Sequence, residues 1–158
     1  MYVYPHKQEW KAEYLHESER IRSRYGKAIE LHHIGSTAVV GLLAKDCIDI
    51  LGVVSDLSDV IARTQTLIEL GYRYRGENGI AGRQYFSKEV RKVHLHIFES
   101  GDPNVEKHLD FVKRMQGDEA LVDELNRLKA ELHERYPNER DAYQAGKSHF
   151  YSKLNALS

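Results

Sequence analysis

Cysteine is almost missing from this chain and proline is scarce, with one Cys and three Pro among 158 residues. The single thiol, Cys47, excludes an internal disulfide and fits a reducing compartment. Charge of one sign is not in excess either. Lys and Arg number 23, Asp and Glu 24, and a net charge of −1 gives no electrostatic reason to expect nucleic acid or an anionic membrane as partner. Long apolar runs are lacking as well. The opening "MYVYPHKQEWKAEY" has no core of signal-peptide length, and no stretch approaches a membrane span. A cytoplasmic location is the expectation.

Ordinary globular proportions remain: 41% hydrophobic and 30% charged residues, enough to build a real core. The length suits one domain spanning 1–158. From His6 to about Tyr25 the polarity is helical, with Trp10, Tyr14 and Ile21 near one face and Gly26 as the stop. "AIELHHIG" alternates like a strand, placing Ile29, Leu31 and His33 on one face. "CIDILGVV" is continuously apolar, as a central strand covered on both sides would be. "SDLSDVIARTQTLIELG" reads as one helix capped by Ser55 or Asp56, striped by Val60, Leu67 and Leu70, and closed by Gly71. Short strand candidates follow in "YRYR", "GRQYFSK" and "KVHLHIFE". Beyond Pro103 the chain reads as three helices, with Asp118 and Asn138 as caps. The sum is an α+β fold: a small mixed sheet with flanking helices and a helical C-terminal third.

Three blocks, "HIGSTAVVGLLAKDCIDI", "HLHIF" and "RDAYQAGKSHF", resemble the GrpB family in order and spacing, and the likeness runs from the first helix to the last. That family is grouped by fold with the nucleotidyltransferases that include DNA polymerase β. The resemblance therefore implies a nucleotidyltransferase-like core, which composition and periodicity do not, and it carries a fold more than a function. Val40 and Asp46 stand where the family usually has prolines, so the path between the two strands is less determined.

Nucleotidyl transfer needs a triphosphate held still, a divalent metal on its oxygens and an aligned hydroxyl. Gly35, Ser36 and Thr37 at a strand end would let the backbone and a hydroxyl reach phosphate oxygens. The competing reading is a tight strand-to-helix turn capped by Ser36 or Thr37. Active members of the superfamily carry two carboxylates one residue apart on a strand. Here Asp49 has Cys47 in the partner position, and Asp46 falls on the opposite face. Asp49 is thus the candidate catalytic carboxylate and metal ligand, or else a buried carboxylate bonded to backbone. In "VHLHIFE" His94 and His96 share a face, and if that strand lies beside the Asp49 strand the three form a metal set. Asp plus two His suits zinc or manganese better than magnesium. Two histidines facing water or the helical tail is the alternative, and Cys47 reads as a core residue.

Cations complete the candidate list. Arg140, Tyr143 and Lys147 share a helix face, while Arg83 and Lys45 lie near the other motifs. Arg83, Lys45, Arg140 and Lys147 are candidate phosphate ligands; Lys88 reads as solvated. His32, His33, His108, His133 and His149 read as surface or packing residues, His33 being of interest for its closeness to Gly35. Two functions stay open. One is a metal-dependent nucleotidyltransferase or phosphoryl-transfer enzyme acting on a nucleotide or other phosphate-bearing small molecule. The other is a silent phosphate-binding module that kept the pocket without the chemistry, which Cys47 favours. A hydrolase using the same metal to activate water is a third possibility.

Overall fold

The structure, a computed structural model, describes residues 3–156. Helix α1 (Glu9–Tyr25) leads into β1 (Glu30–Ile34), a single 3-10 turn (Ser36–Ala38) and β2 (Ile48–Val54). Helices α2 (Ser58–Ala62) and α3 (Thr64–Glu69) precede β3 (Arg73–Tyr74), β4 (Gln84–Lys88) and β5 (Val93–Glu99). Three helices end the chain: α4 (Pro103–Gln116), α5 (Glu119–Arg135) and α6 (Arg140–Ala156). The five strands form one mixed sheet in the order β1-β2-β5-β4-β3, and only the β2–β5 pair is parallel. No helix among the described residues is long and apolar enough to cross a membrane.

Alternation on the strands decides what each face of the sheet meets. One face presents Leu31, Ile48, Ile50, Leu95 and Ile97 to Trp10, Ile21 and Tyr25 of α1 and to Val60 and Leu67 of α2 and α3. The other presents Ile34, Leu51 and Phe98 to Val105, Leu109 and Val112 of α4. The connection between β1 and β2 is buried under the helical tail. Its Val39 and Leu42 are fully buried against Met115, Leu125, Phe150 and Leu154.

Capping follows the sequence at two helices. Asp118 accepts hydrogen bonds from the Ala120 and Leu121 amides, and Asp102 caps α4 ahead of Pro103. Several expectations need correction. The first helix begins at Glu9, not His6. The single helix expected from Ser55 to Gly71 is two short ones, broken at Arg63 (φ −107°, ψ 7°). Arg63 donates to the Tyr25 carbonyl at the end of α1 and lies over the Tyr25 ring, a tertiary contact that propensity does not register. Lys88 is not solvated. It forms a 2.6 Å ion pair with Glu17 and covers the Tyr72 ring. Asp56 rather than Ser55 makes the turn ahead of α2, accepting from the Ser58 amide and hydroxyl. At α6 the flanking residue is Glu139, whose carbonyl takes the Tyr143 amide, instead of Asn138.

Gly146 is where α6 crosses α5. A Cβ there would lie 2.4 Å and 2.8 Å from the Leu132 methyls and 3.2 Å from its Cγ. Alanine gains about 1 kcal/mol over glycine in a helix interior, but overpacking costs roughly 1–3 kcal/mol. Gly146→Ala is therefore expected to lower unfolding free energy by up to about 2 kcal/mol in urea titrations. A gain in stability would mean that the two helices do not meet this closely.

Candidate functional site

Strand β1 stops at Ile34, opposite Asp49 on β2, and the chain turns at Gly35 with φ +74°. Only glycine adopts that angle freely. A Cβ at Gly35 would also sit 3.0 Å from Asp49 Oδ2. The glycine is thus needed twice, for its dihedral and for close approach of backbone to carboxylate.

The parallel register pairs Asp49 with His94, and His96 is one step along on the same face. All three side chains meet. Asp49 Oδ1 is 3.0 Å from His96 Nε2 and 3.6 Å from His94 Nδ1. Burial alone would raise the Asp49 pKa, but the hydrogen bonds from His94 and His96 outweigh it and hold the carboxyl well below its usual range. His96 is engaged at both nitrogens. Its Nδ1 lies 3.1 Å from the Arg83 guanidinium, which can only donate, so Nε2 carries the proton given to Asp49. The residue that joins Asp49 and His94 is Cys47. Sulfur, carboxylate oxygen and imidazole nitrogen of Cys47, Asp49 and His94 all lie within 4.8 Å of one another. His96 stands outside that trio as a partner of the carboxylate, which departs from the expected Asp49–His94–His96 set. Burial and the Asp49 charge push the Cys47 thiol pKa up, so without a metal it stays protonated.

A cleft of about 490 Å³ opens beside this cluster. Its walls carry Gly35, Ser36 and Thr37 from the turn, Lys45, Cys47 and Asp49 from the approach to β2, and His94 from β5. The helical tail adds His108, Lys129, Arg140, Tyr143, Lys147 and Tyr151. Asp49 is the one carboxylate among the described residues lining the cleft. Facing it are four cationic side chains. Lys129 is 2% exposed and donates to Ser36 Oγ (2.8 Å) and the Leu43 carbonyl (2.6 Å). Burial, with Lys147 and Lys45 nearby, pushes its pKa down to about 7. Burial and Lys45 lower Lys147 to about 8, and its ammonium rests over the Tyr143 ring, 4.9 Å from the centroid. Lys45 is lowered too, by burial and then Arg140. These cations are held together against their own repulsion.

The structure brings together Gly35, Ser36, Thr37, Lys45, Asp49, His94, Arg140 and Lys147 around one cleft. Arg83 is not among them. It is 6% exposed, and its guanidinium is spent on the Glu77 and Asn78 carbonyls, His96 and the Tyr85 ring. The phosphate-binding role expected for it does not fit; it orients His96. Thr37 is buried with its hydroxyl 2.9 Å from His33 Nε2, so it supports the turn. Asp46 points to the α1 side, held by Trp10 Nε1 and Arg91. Lys129, Tyr151 and His108 were not foreseen. Lys129 did leave a signal: in α5 it falls on the stripe of Leu125 and Leu132, a lysine at an apolar position.

The sheet, the glycine–serine turn at its edge and the carboxylate on the adjacent strand define a nucleotidyltransferase-like fold. The Cid1 poly(U) polymerase shares it, with a TM-score of 0.59 at 15% identity over 84% of this chain and 44% of that one. Within this class the chain belongs to the GrpB protein family, which matches residues 1–156. A solved GrpB from Enterococcus faecalis superposes with a TM-score of 0.91 at 26% identity, covering 98% of this chain and 95% of that one. UPF0157 protein YqkA of Bacillus subtilis is 35% identical over 89% of this chain, which spans only 42% of that protein's length. UPF0157 protein BH1888 of Halalkalibacterium halodurans is 31% identical, over 92% of this chain and 75% of that protein.

Two histidines, His108 in the cleft and His33 bonded to Thr37 beside it, set an acid limit on stability. Burial holds His33 and His108 near pKa 4, against 6.5 when unfolded. Between those values the unfolded chain binds protons that the folded one does not, so stability falls as pH drops from about 6.5 to 4. Melting temperatures over this range should decline, and His108→Gln should flatten the decline. An unchanged slope in that variant would show that His108 is not buried in its neutral form.

Proposed function

We propose that the cleft binds the phosphates of a nucleotide or related phosphate-bearing small molecule, and that it is a binding pocket without two-magnesium transfer chemistry. One observation carries the reading: Lys45, Lys129, Arg140 and Lys147 converge on a cleft lined by one described carboxylate. Bringing like charges into a partly buried space raises the free energy of the empty protein, and a polyanion removes that cost. Ser36 Oγ, held by Lys129, stands at the floor as a hydroxyl partner for phosphate oxygens. Arg140 at the start of α6 and Lys147 two turns further along it line the same cleft.

The transfer chemistry of this fold uses paired carboxylates on β2. Cys47 stands in place of the first, and His94 and His96 fill the neighbouring strand. Such a set is poor for magnesium, which asks for oxygen ligands. Cys47, Asp49 and His94 offer ligands of the kind a zinc-class ion takes, since one sulfur, one oxygen and one nitrogen lie within 4.8 Å of one another. That proximity favours a second reading, a single-metal phosphoryl-transfer or hydrolytic enzyme. A metal there would supply positive charge to a phosphoryl oxygen. Asp49 would hold it, His96 and Arg83 would fix the carboxylate's orientation, and the lysines would neutralise the remaining phosphates.

A thermal-shift series with nucleoside triphosphates and tripolyphosphate, without added metal, tests the first reading, because a ligand of the folded state raises apparent stability. Stabilisation is expected, with Lys147→Met or Arg140→Met weakening affinity about tenfold. Because Lys129 and Lys147 lose their protons near 7 and 8, binding should weaken as pH rises from 7 to 9. The same depressed values make the stability of the empty protein rise with pH across that window, since the unfolded lysines still bind protons there that the folded ones have lost. No stabilisation by any phosphate compound would sink the proposal. For the second reading, zinc should stabilise the wild type and fail to stabilise His94→Ala or Cys47→Ser. Equal zinc response in all three excludes that ligand set.

A further inference from the structure

The face that α6 turns to the cleft changes character along its length. Arg140, Tyr143, Lys147, Tyr151 and Leu154 follow one another on it at helical spacing, and all line the cleft. Charge is gathered in the first half. The Lys147 ammonium lies back over the ring of Tyr143, one turn nearer the start of the helix, and Tyr143 is fully buried. From Tyr151 onward the wall is aromatic and apolar. The Tyr151 ring meets Phe111 of α4 with centroids 5.6 Å apart and planes inclined at 56°, and Leu154 belongs to the same apolar cluster. Phe150, the third ring of that cluster, is buried, whereas Phe111 and Tyr151 are half-buried and both border the cleft. Ring surface left open in this way forgoes the gain of burial until something covers it. Ser36 joins the two halves: its hydroxyl accepts from Lys129 and is hydrogen-bonded to the Tyr151 hydroxyl. The Tyr151 ring therefore starts at the phosphate floor and runs from there to α6.

We propose that the Tyr151–Phe111 end of the cleft seats a nucleobase, so that the ligand is a nucleoside polyphosphate and these two rings determine its specificity. This rests on the phosphate-binding reading and narrows it from any phosphate-bearing molecule to one with a flat aromatic group. Four cationic side chains face one carboxylate, more charge than a single phosphate balances, which calls for a chain of phosphates. Arg140 and Tyr151 are separated by about 16 Å of helix, so a ligand that meets both is elongated, with charge at one end and an apolar plane at the other. Its terminal phosphates lie toward Arg140 and Lys147, the phosphate next to the sugar lies at Ser36, and the base rests against the Tyr151 ring with Phe111 at its edge. Stacking of this kind accepts any base, because every base presents a π-face, and it rejects a phosphate compound that has none.

The test uses the intact chain without added metal and three probes: ATP, methyl triphosphate, which carries the same phosphates and no base, and the triphosphate of 2-aminopurine riboside, whose fluorescence is quenched when its base stacks. Calorimetric titration should find ATP bound about tenfold more tightly than methyl triphosphate. Tyr151→Leu and Phe111→Leu should each remove most of that difference while methyl triphosphate still binds. Tyr151→Phe, which keeps the ring and loses the hydroxyl, should preserve it. If Tyr151→Phe loses the difference as fully as Tyr151→Leu, the hydroxyl and not the ring is the contact, and the base seat is overturned. If the leucine variants fail to fold, the wild-type fluorescence decides: quenching of the bound aminopurine nucleotide supports the stack, and a bound nucleotide left unquenched overturns it. Equal affinity for ATP and methyl triphosphate overturns the base seat and leaves the phosphate-binding reading intact. Binding of neither overturns the phosphate reading, and the base seat with it.

Discussion

A single buried amine ties the helical tail to the edge of the sheet. Lys129 leaves the apolar stripe of α5 and hydrogen-bonds both ends of the β1–β2 connection, Ser36 at its start and the Leu43 carbonyl near its close. Removing water from an amine is costly, and the contact persists because it satisfies two oxygens that would otherwise face that connection alone. The cleft exists because the tail is held there. With α5 seated, α6 packs against it at Gly146 and carries Arg140 and Lys147 over the Gly35–Asp49 edge.

The second constraint is the parallel pairing of β2 with β5. In that register Asp49 lies opposite His94, and the same face continues to His96. Arg83 then fixes the tautomer of His96 from behind, so the carboxylate is held by a chain of donors running back to the Glu77 and Asn78 carbonyls. The result is one well-oriented carboxylate where the fold's transfer chemistry uses a pair. Cys47 lies with Asp49 and His94 in a cluster that offers sulfur, oxygen and nitrogen. The fold is shared with Cid1, and fold alone does not transmit an activity.

Much of this was legible in the residues. Strict alternation in "VHLHIFE" and continuous apolarity in "CIDILGVV" gave β5 and β2, and the Gly35–Ser36 turn and Asp49, singled out together in the sequence, line one cleft. What alternation cannot supply is pairing, because strand order depends on contacts far apart in sequence. The placement of Arg83 was therefore misread: a cation near a motif looks like a phosphate ligand until its donors are seen bonded to backbone carbonyls. Lys129 was missed for the opposite reason, since a lysine on a helix is ordinarily a solvated residue. Arg63 broke a continuous helical pattern by reaching for the end of α1, a tertiary contact that propensity cannot register.

The central claim is that a set of cations, held partly discharged by one another and by burial, awaits a polyanion. Such a site must take up protons when it fills, because the arriving charge raises the proton affinity of Lys129 and Lys147 from near 7 and 8. Calorimetric titration with tripolyphosphate at pH 8, repeated in buffers of different ionisation enthalpy, reads that number directly. The account predicts net proton uptake that disappears in the Lys129→Met, Lys147→Met double variant. Binding with no uptake, or with proton release, would contradict it.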